Sequence, residues 1–411
     1  MQNRSRGNID YTLPFLLVLP MVTHWLFPVG IEEKFSIYTE GMYFYMPNVC
    51  YIMYILLRGK CFVSQTVCVF KNVWERISVL LLIILIYAII QPLFINTREL
   101  FLSISCCLSY VFLTFIFLRY PLTPQQYENT KYIIIPVLLI ICLEVFIFSL
   151  GIMQYETEMG TSIEGEQYAG IIRVSTTIGA STGTAIVIAI LGIISTSLYK
   201  IDNWIKIVLF FLVTIALFYT MSRGSLLLWL GYSIFILYRF VRLQKKGKRW
   251  KFVVLYAIGG LLLSNYGVFN AILERNDELV ANGMIQTNRE EKRAIAWNSF
   301  VESGYVGWGI GQCYADKSVI TLIKTEHNIA SHNVYLTLLT EGGVVVCGCF
   351  VIMLFIMLKS LRLSHPASIG LLLVILITFN TEAVPLHAEF WPLFMLLFVL
   401  NLKNAAVRKS S

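Results

Sequence analysis

SHNVYLTLLTEGGVVVCGCFVIMLFIMLK, residues 331 to 359, opens on three polar residues, closes on a lysine, and carries a single charge, Glu341, between Val334 and Leu358. An apolar run of roughly 20 residues is what the hydrocarbon layer of a bilayer demands of one helix. The stretch therefore reads as a membrane span with a polar entrance containing His332, Asn333 and, roughly two and a half turns in, Glu341.

Working outward, similar runs recur along the chain, with approximate cores at 13–29, 42–57, 77–95, 100–118, 132–151, 176–198, 204–220, 225–240, 252–269, 334–358, 367–380 and 389–402. The expectation is an all-α integral membrane protein with about 12 transmembrane helices, residues 1–411 forming a single polytopic domain. Composition agrees: 57% of residues are hydrophobic and 14% charged, and the mean hydropathy is +0.72, far from the profile of a soluble domain. The first run contains Pro14 and Pro20 and has no small-residue cleavage site, so it reads as a retained span and not a signal peptide.

Charge then sets orientation, because cytoplasmic loops are enriched in Lys and Arg. With the N-terminus inside, most of the 32 basic residues fall in inner segments and most of the 24 acidic residues fall outside. Both termini are expected to be cytoplasmic. The net charge of +8 is then what topology requires and argues for no nucleic acid partner. The densest basic stretch, RFVRLQKKGKRWK at 239–251, reads as an inner loop beside lipid headgroups. Of the nine cysteines only Cys313 falls in an outer loop, so no intrachain disulfide is expected there.

Two outer loops are not short. Residues 152–173 are acidic and contain Gly until they end at Arg173. Residues 270–331, between the ninth and tenth spans, form a loop well beyond the length at which a connection usually carries a function. Within it NREEKRAIAWNSFVES predicts a helix, with Asn288 as N-cap, Glu291 three residues on, and an apolar stripe of Ala294, Trp297 and Val301. Arg289 and Arg293 then share a face at i, i+4, an unfavourable pairing unless an anion answers it. GYVGWGIGQ at 304–312 lacks the strand and helix of a dinucleotide fold, and reads as a turn that lets backbone approach another group closely.

Arg173, Arg223 and Arg293 break the charge asymmetry, each lying at or near a span end on the acidic side. Any one alone reads equally well as an interfacial arginine reaching for headgroups. Together, always charged and able to bind phosphate oxygens in pairs, they suit a lipid pyrophosphate. His332 at the same boundary is a neutral imidazole fit to take a proton from a sugar hydroxyl, or simply an interfacial hydrogen-bonder. Glu341 needs a partner at that depth, and an ion pair with one of the arginines would supply it. Glu382 and Glu389, flanking His387, read as solvated or structural. No zinc spacing, nucleophile elbow or phosphate-binding loop is present, and clustered outer Asp residues for a divalent cation are missing, which argues against a metal-dependent glycosyltransferase.

These residues resemble the superfamily of O-antigen polymerases and O-antigen ligases, glycosyltransferases of the bacterial inner membrane. SRGSLLL with Arg223, REEKRAIAWNSFVESGYVGWGIG with Arg293, and HNVYLTLLTEGG with His332 are similar to its motifs, and RVSTTIGASTGTA with Arg173 is a weaker match. The family signature usually ends in a further Gly where this chain has Val346. The resemblance implies a large periplasmic loop at 270–331 and transfer of a glycan from undecaprenyl pyrophosphate without metal or other cofactor. Arg223 and Arg293, with Arg173 and Arg289, would hold the pyrophosphate. His332 would activate the acceptor hydroxyl, supported by Asn333 and Glu341. The acceptor would be another lipid-linked repeat unit, for a polymerase, or the sugar of the lipid A core, for a ligase, and a chain-length regulator is a further expected partner. A transporter or flippase has the same span count, but the chain shows no related halves and Glu144 is the clearest charge inside a span. A non-catalytic assembly partner is the third reading.

Overall fold

The structure is a computed structural model. It describes residues 37–39, 42–44, 71–94, 128–150, 167–168, 171–172, 174, 176, 181–243, 284–310, 331–361, 363, 365–381 and 390–410. In chain order the elements are β1 (Ile37–Thr39), β2 (Met42–Phe44), α1 (Lys71–Phe94), α2 (Lys131–Ser149), β3 (Gln167–Tyr168) and β4 (Ile171–Ile172). They are followed by α3 (Ser181–Ser197), α4 (Asn203–Thr220), α5 (Arg223–Leu243), α6 (Met284–Glu302), α7 (Val334–Lys359), α8 (Pro366–Thr381) and α9 (Phe390–Ser410).

The fold is mostly helical, and among the described residues α2, α4 and α7 are long and apolar enough to cross a membrane. Helices also cover the expected runs at 77–95, 176–198, 225–240, 367–380 and 389–402. The expected spans at 13–29, 100–118 and 252–269 lie outside the described residues. The helical expectation holds for the described residues, with two small antiparallel ladders beside the helices, β1 with β2 and β3 with β4. The first takes Met42–Phe44 from the start of the expected second span, since Tyr and Phe suit a strand as well as a helix.

Small residues decide what sits in the middle. α3 is buried on nearly every side, from Ser181 through Thr196, because Gly, Ala and Ser let neighbouring backbones come close where the lipid supplies no hydrophobic drive. Trp229 of α5 lies over Gly192, where a Cβ would stand 3.0 Å from its ring. The same indole stacks on Phe210 with centroids 5.0 Å apart and donates to Thr214 Oγ1 at 2.9 Å. At the next residue of α3, Gly370 of α8 packs against Ile193. α9 is equally enclosed from Leu393 to Leu402, its Phe390 and Phe394 meeting Phe379 of α8. Apolar stripes point outward instead on α1 (Val79, Leu82, Ile83, Ile86, Ile90) and α5 (Leu227, Leu230, Ile234), as a lipid-facing surface requires.

Polar contacts sort by end. Where the charge pattern places the inner side, Thr130 pairs with Tyr199 at 2.8 Å and Asn401 donates to Ser368 at 2.9 Å. Where it places the outer side, Val174 N donates to Tyr219 O, Gln91 reaches the 306 and 341 carbonyls, and Arg293 and Asn333 both reach Asn380. None of these bonds joins one end to the other, as expected when alternate helices run in opposite directions.

Helix α6 differs from expectation in two respects. It begins at Met284, so Asn288 lies inside it and does not cap it. Nothing between Met284 and Asn288 breaks a helix, and each added residue adds a hydrogen bond. Its buried face is also not the Ala294, Trp297, Val301 stripe, which is exposed. Ala296, Ser299 and Phe300 are buried instead, because α6 comes close enough to α7 for Thr340 Oγ1 to donate to Ala296 O at 3.0 Å. Only a small residue permits that approach.

Candidate functional site

The site is organised by a break in α7. Gly343 sits at φ 65, ψ −165 inside that helix, a region of backbone space that is essentially glycine-only. A break inside a membrane strands N–H and C=O groups that water cannot reach, so each needs a protein partner. The segment after α6 supplies them. Trp308 N donates to Thr340 O at 2.8 Å, Gly309 N donates to Glu341 O at 2.8 Å, and Val344 N donates to Tyr305 O at 3.2 Å. From α1, Gln91 Nε2 donates to both Glu341 O (2.7 Å) and Val306 O (2.9 Å), and Tyr87 OH donates to Val306 O (2.8 Å).

The glycines of the described stretch 304–310 have their reason here. Gly304, Gly307 and Gly309 all have positive φ, and a Cβ on Gly307 would stand 2.5 Å from Glu341 O and Gly343 N. A Cβ on Gly343 would in turn overlap the Tyr305 and Val306 carbonyls. The turn expected to bring backbone close to another group does so, and the group is the broken helix. Trp308 Nε1 on Ser299 O (2.7 Å) and Gly307 N on Ser303 Oγ (2.9 Å) lock the turn to α6. Val346, where the family pattern has Gly, is buried, its side chain over Gly342.

At the entrance to α7, Asn333 is the N-cap: its Oδ1 accepts from Leu336 N at 3.0 Å. Ser331, buried, donates to Asn333 O at 2.9 Å and pairs with Thr337 Oγ1 at 3.0 Å. Between them His332 is half-buried and held at φ 49. Few residue types other than Gly sit there, and such strain persists only where the surroundings impose it.

The arginines come in along other elements. α4 ends in a left-handed Met221 (φ 50), so two residues suffice to turn the chain into α5. Arg223 is the first residue of α5 and exposed. Its neighbour Gly224 lies against α8, where a Cβ would stand 2.7 Å from Thr381 Oγ1. Arg293 on α6 is half-buried, its Nη2 donates to Asn380 O at 3.1 Å, and its Nε is buried with no hydrogen bond to the described residues. Asn380 Oδ1 also accepts from Asn333 Nδ2 at 3.4 Å. The end of α8 thus gathers Arg293, Asn333 and the start of α5, distant in sequence.

Of the expected site residues, Arg223, Arg293, His332 and Asn333 sit on elements that meet at Asn380–Thr381. Glu341 is wholly buried at the break, about two helix turns in from the start of α7, and its carbonyl is a structural acceptor. Arg289 lies on α6, one turn before Arg293. Arg173 lies outside the described residues. Sequence reasoning missed Asn380 and Gln91. The available signal was an amide at the end of an otherwise apolar run in each case, IIQPLF and ITFNTE.

Residues 207–351 match a family model described as O-antigen ligase. The match runs from within α4 into α7 and includes Arg223, Arg289, Arg293, His332, Asn333 and Glu341; Arg173 falls before it and Asn380 after it. It supports the resemblance to the O-antigen ligase and polymerase superfamily, whose members are multi-pass proteins of the bacterial inner membrane, and the apolar helices fit that setting. No curated protein matches the chain.

Proposed function

We propose that the protein is a membrane glycosyltransferase that moves a glycan from undecaprenyl pyrophosphate to an acceptor sugar hydroxyl at the periplasmic face. The observation that carries the reading is the meeting of Arg293, the Asn333 cap beside His332 and the Arg223 end of α5 around Asn380–Thr381. Two helix N-termini, those of α5 and α7, open at the same place, and their dipoles favour negative charge. The buried Nε of Arg293 has a donor to spare for an anion.

In this reading the acceptor hydroxyl attacks the anomeric carbon while the bond from that carbon to the pyrophosphate oxygen breaks, with inversion. His332 takes the hydroxyl proton. Undecaprenyl pyrophosphate leaves with the electron pair, its charge stabilised by Arg223 and Arg293, with Arg289 and Arg173 as further contacts. Preorganised donors aimed at developing charge are worth roughly 3 to 4 kcal/mol each in such sites.

Two acceptors fit. Polymerisation uses a second lipid-linked repeat unit and would involve a chain-length regulator; ligation uses the lipid A core, and the description of the matched family favours it. Deleting the gene separates them on a lipopolysaccharide gel. Core capped by a single repeat identifies a polymerase, and uncapped core with accumulated lipid-linked polymer identifies a ligase. His332→Ala reintroduced into that strain should behave as the deletion does; normal long-chain glycan from this variant would refute the transferase reading.

A further inference from the structure

We propose that Asn380 is a positioning residue of this site, joining the arginine helix to the histidine-bearing cap, an inference that rests on the transferase reading above. Its basis is how the end of α8 is built. Residues Val374–Thr378 form a π turn, wider than an α turn, so the residues after it are rotated relative to an uninterrupted α-helix. Three consecutive residues there address three different partners. Phe379 is buried against Phe350 of α7 and Phe390 and Phe394 of α9. Asn380 takes Arg293 on its carbonyl and Asn333 on its side chain. Thr381 lies against Gly224 of α5 and ties back to Ile377 O at 3.0 Å.

The Asn380 amide uses both of its ends. Nδ2 donates to Leu376 O at 2.7 Å, a carbonyl within the π turn, and this fixes which way the side chain lies. Oδ1 is thereby left to accept from Asn333 Nδ2 at 3.4 Å. Asn333 Oδ1 is occupied as the cap of α7, so the two ends of each amide are assigned without ambiguity. Asn380 is exposed while Phe379 beneath it is fully buried. A polar side chain at the surface of a packed aromatic anchor, bonded to two elements that carry proposed catalytic groups, is placed to hold His332 and Arg293 at a set separation. The bond to Arg293 uses the backbone and survives substitution of Asn380; the bond to Asn333 does not.

The test uses the full-length protein in membranes of the deletion strain, supplied with the lipid-linked glycan extracted from that strain. Transfer rates are measured for Asn380→Ala, Asn333→Ser and their combination, with His332→Ala and Arg293→Ala as references. Ser keeps the capping acceptor but removes Nδ2. Each single variant should lower the turnover rate about five- to tenfold, with the concentration dependence on lipid-linked glycan unchanged and protein abundance and melting temperature near wild type. The combination should be no slower than the slower single variant, since both remove the same Asn333–Asn380 bond. A wild-type rate for Asn380→Ala beside an inactive His332→Ala overturns the inference and leaves the transferase reading standing. Multiplicative losses in the combination, or a loss that merely follows protein abundance, also overturn it. Activity in His332→Ala and Arg293→Ala overturns the transferase reading itself.

Discussion

Gly343→Ala should destabilise the protein, and Gly348→Ala, five residues along the same helix, should not. A side chain at φ 65, ψ −165 costs about 1 to 3 kcal/mol in backbone strain alone. The new methyl would also overlap the Tyr305 and Val306 carbonyls, which are backbone and cannot rotate away. To relieve it the 305–309 segment must lift. That lengthens three bonds, Val344 N to Tyr305 O, Trp308 N to Thr340 O and Gly309 N to Glu341 O, each worth about 1 kcal/mol net. The sum is roughly 4 to 6 kcal/mol. At Gly348 an added methyl would meet nothing within 4 Å and the backbone is helical, so Ala there should stabilise by about 0.5 to 1 kcal/mol. Reversible unfolding of both variants in mixed detergent micelles reads the difference directly. Equal stabilities would refute the broken-helix account, because an unbroken α7 treats the two glycines alike.

Three other perturbations test the same architecture by unfolding. Gln91→Leu keeps the shape but leaves the 306 and 341 carbonyls without their shared amide donor, and a loss of about 2 kcal/mol is expected. Trp229→Ala empties the space over Gly192 and frees Thr214, with an expected cost of about 3 to 5 kcal/mol; a loss under about 1 kcal/mol would mean that α3 and α5 do not pack as described. Asn333→Ala should cost about 1 kcal/mol through the lost cap, and Asn333→Ser much less.

Much of the site was legible because its signals are local. A histidine before an apolar run, an arginine just after a two-residue turn between apolar segments, and glycines at spacing two are visible in the letters of the chain, and the structure brings the elements of the first two to the end of α8 and the glycines to the break in α7. The illegible part depended on long-range contact. The Ala294, Trp297, Val301 stripe satisfies helical periodicity, yet the opposite face is buried, because the packed face is the one whose small residue lets α7 come close enough for Thr340 Oγ1 to reach Ala296 O. Periodicity therefore cannot say which side of α6 turns to α7. Asn380 and Gln91 were passed over for a related reason: a lone amide at a span end carries no signal until its partners are known.

The sequence by itself pointed to a mostly helical chain with runs apolar enough to cross a membrane, because hydrocarbon length acts residue by residue, and its charge asymmetry set the expectation for which span ends share a side. It also marked the histidine and the arginines. Only the tertiary structure decided that α7 breaks at Gly343, with the 305–309 turn and Gln91 taking up its stranded hydrogen bonds, and that Asn380 joins Arg293 to Asn333. Those are contacts between segments tens to hundreds of residues apart, and no local energy term along the chain encodes them.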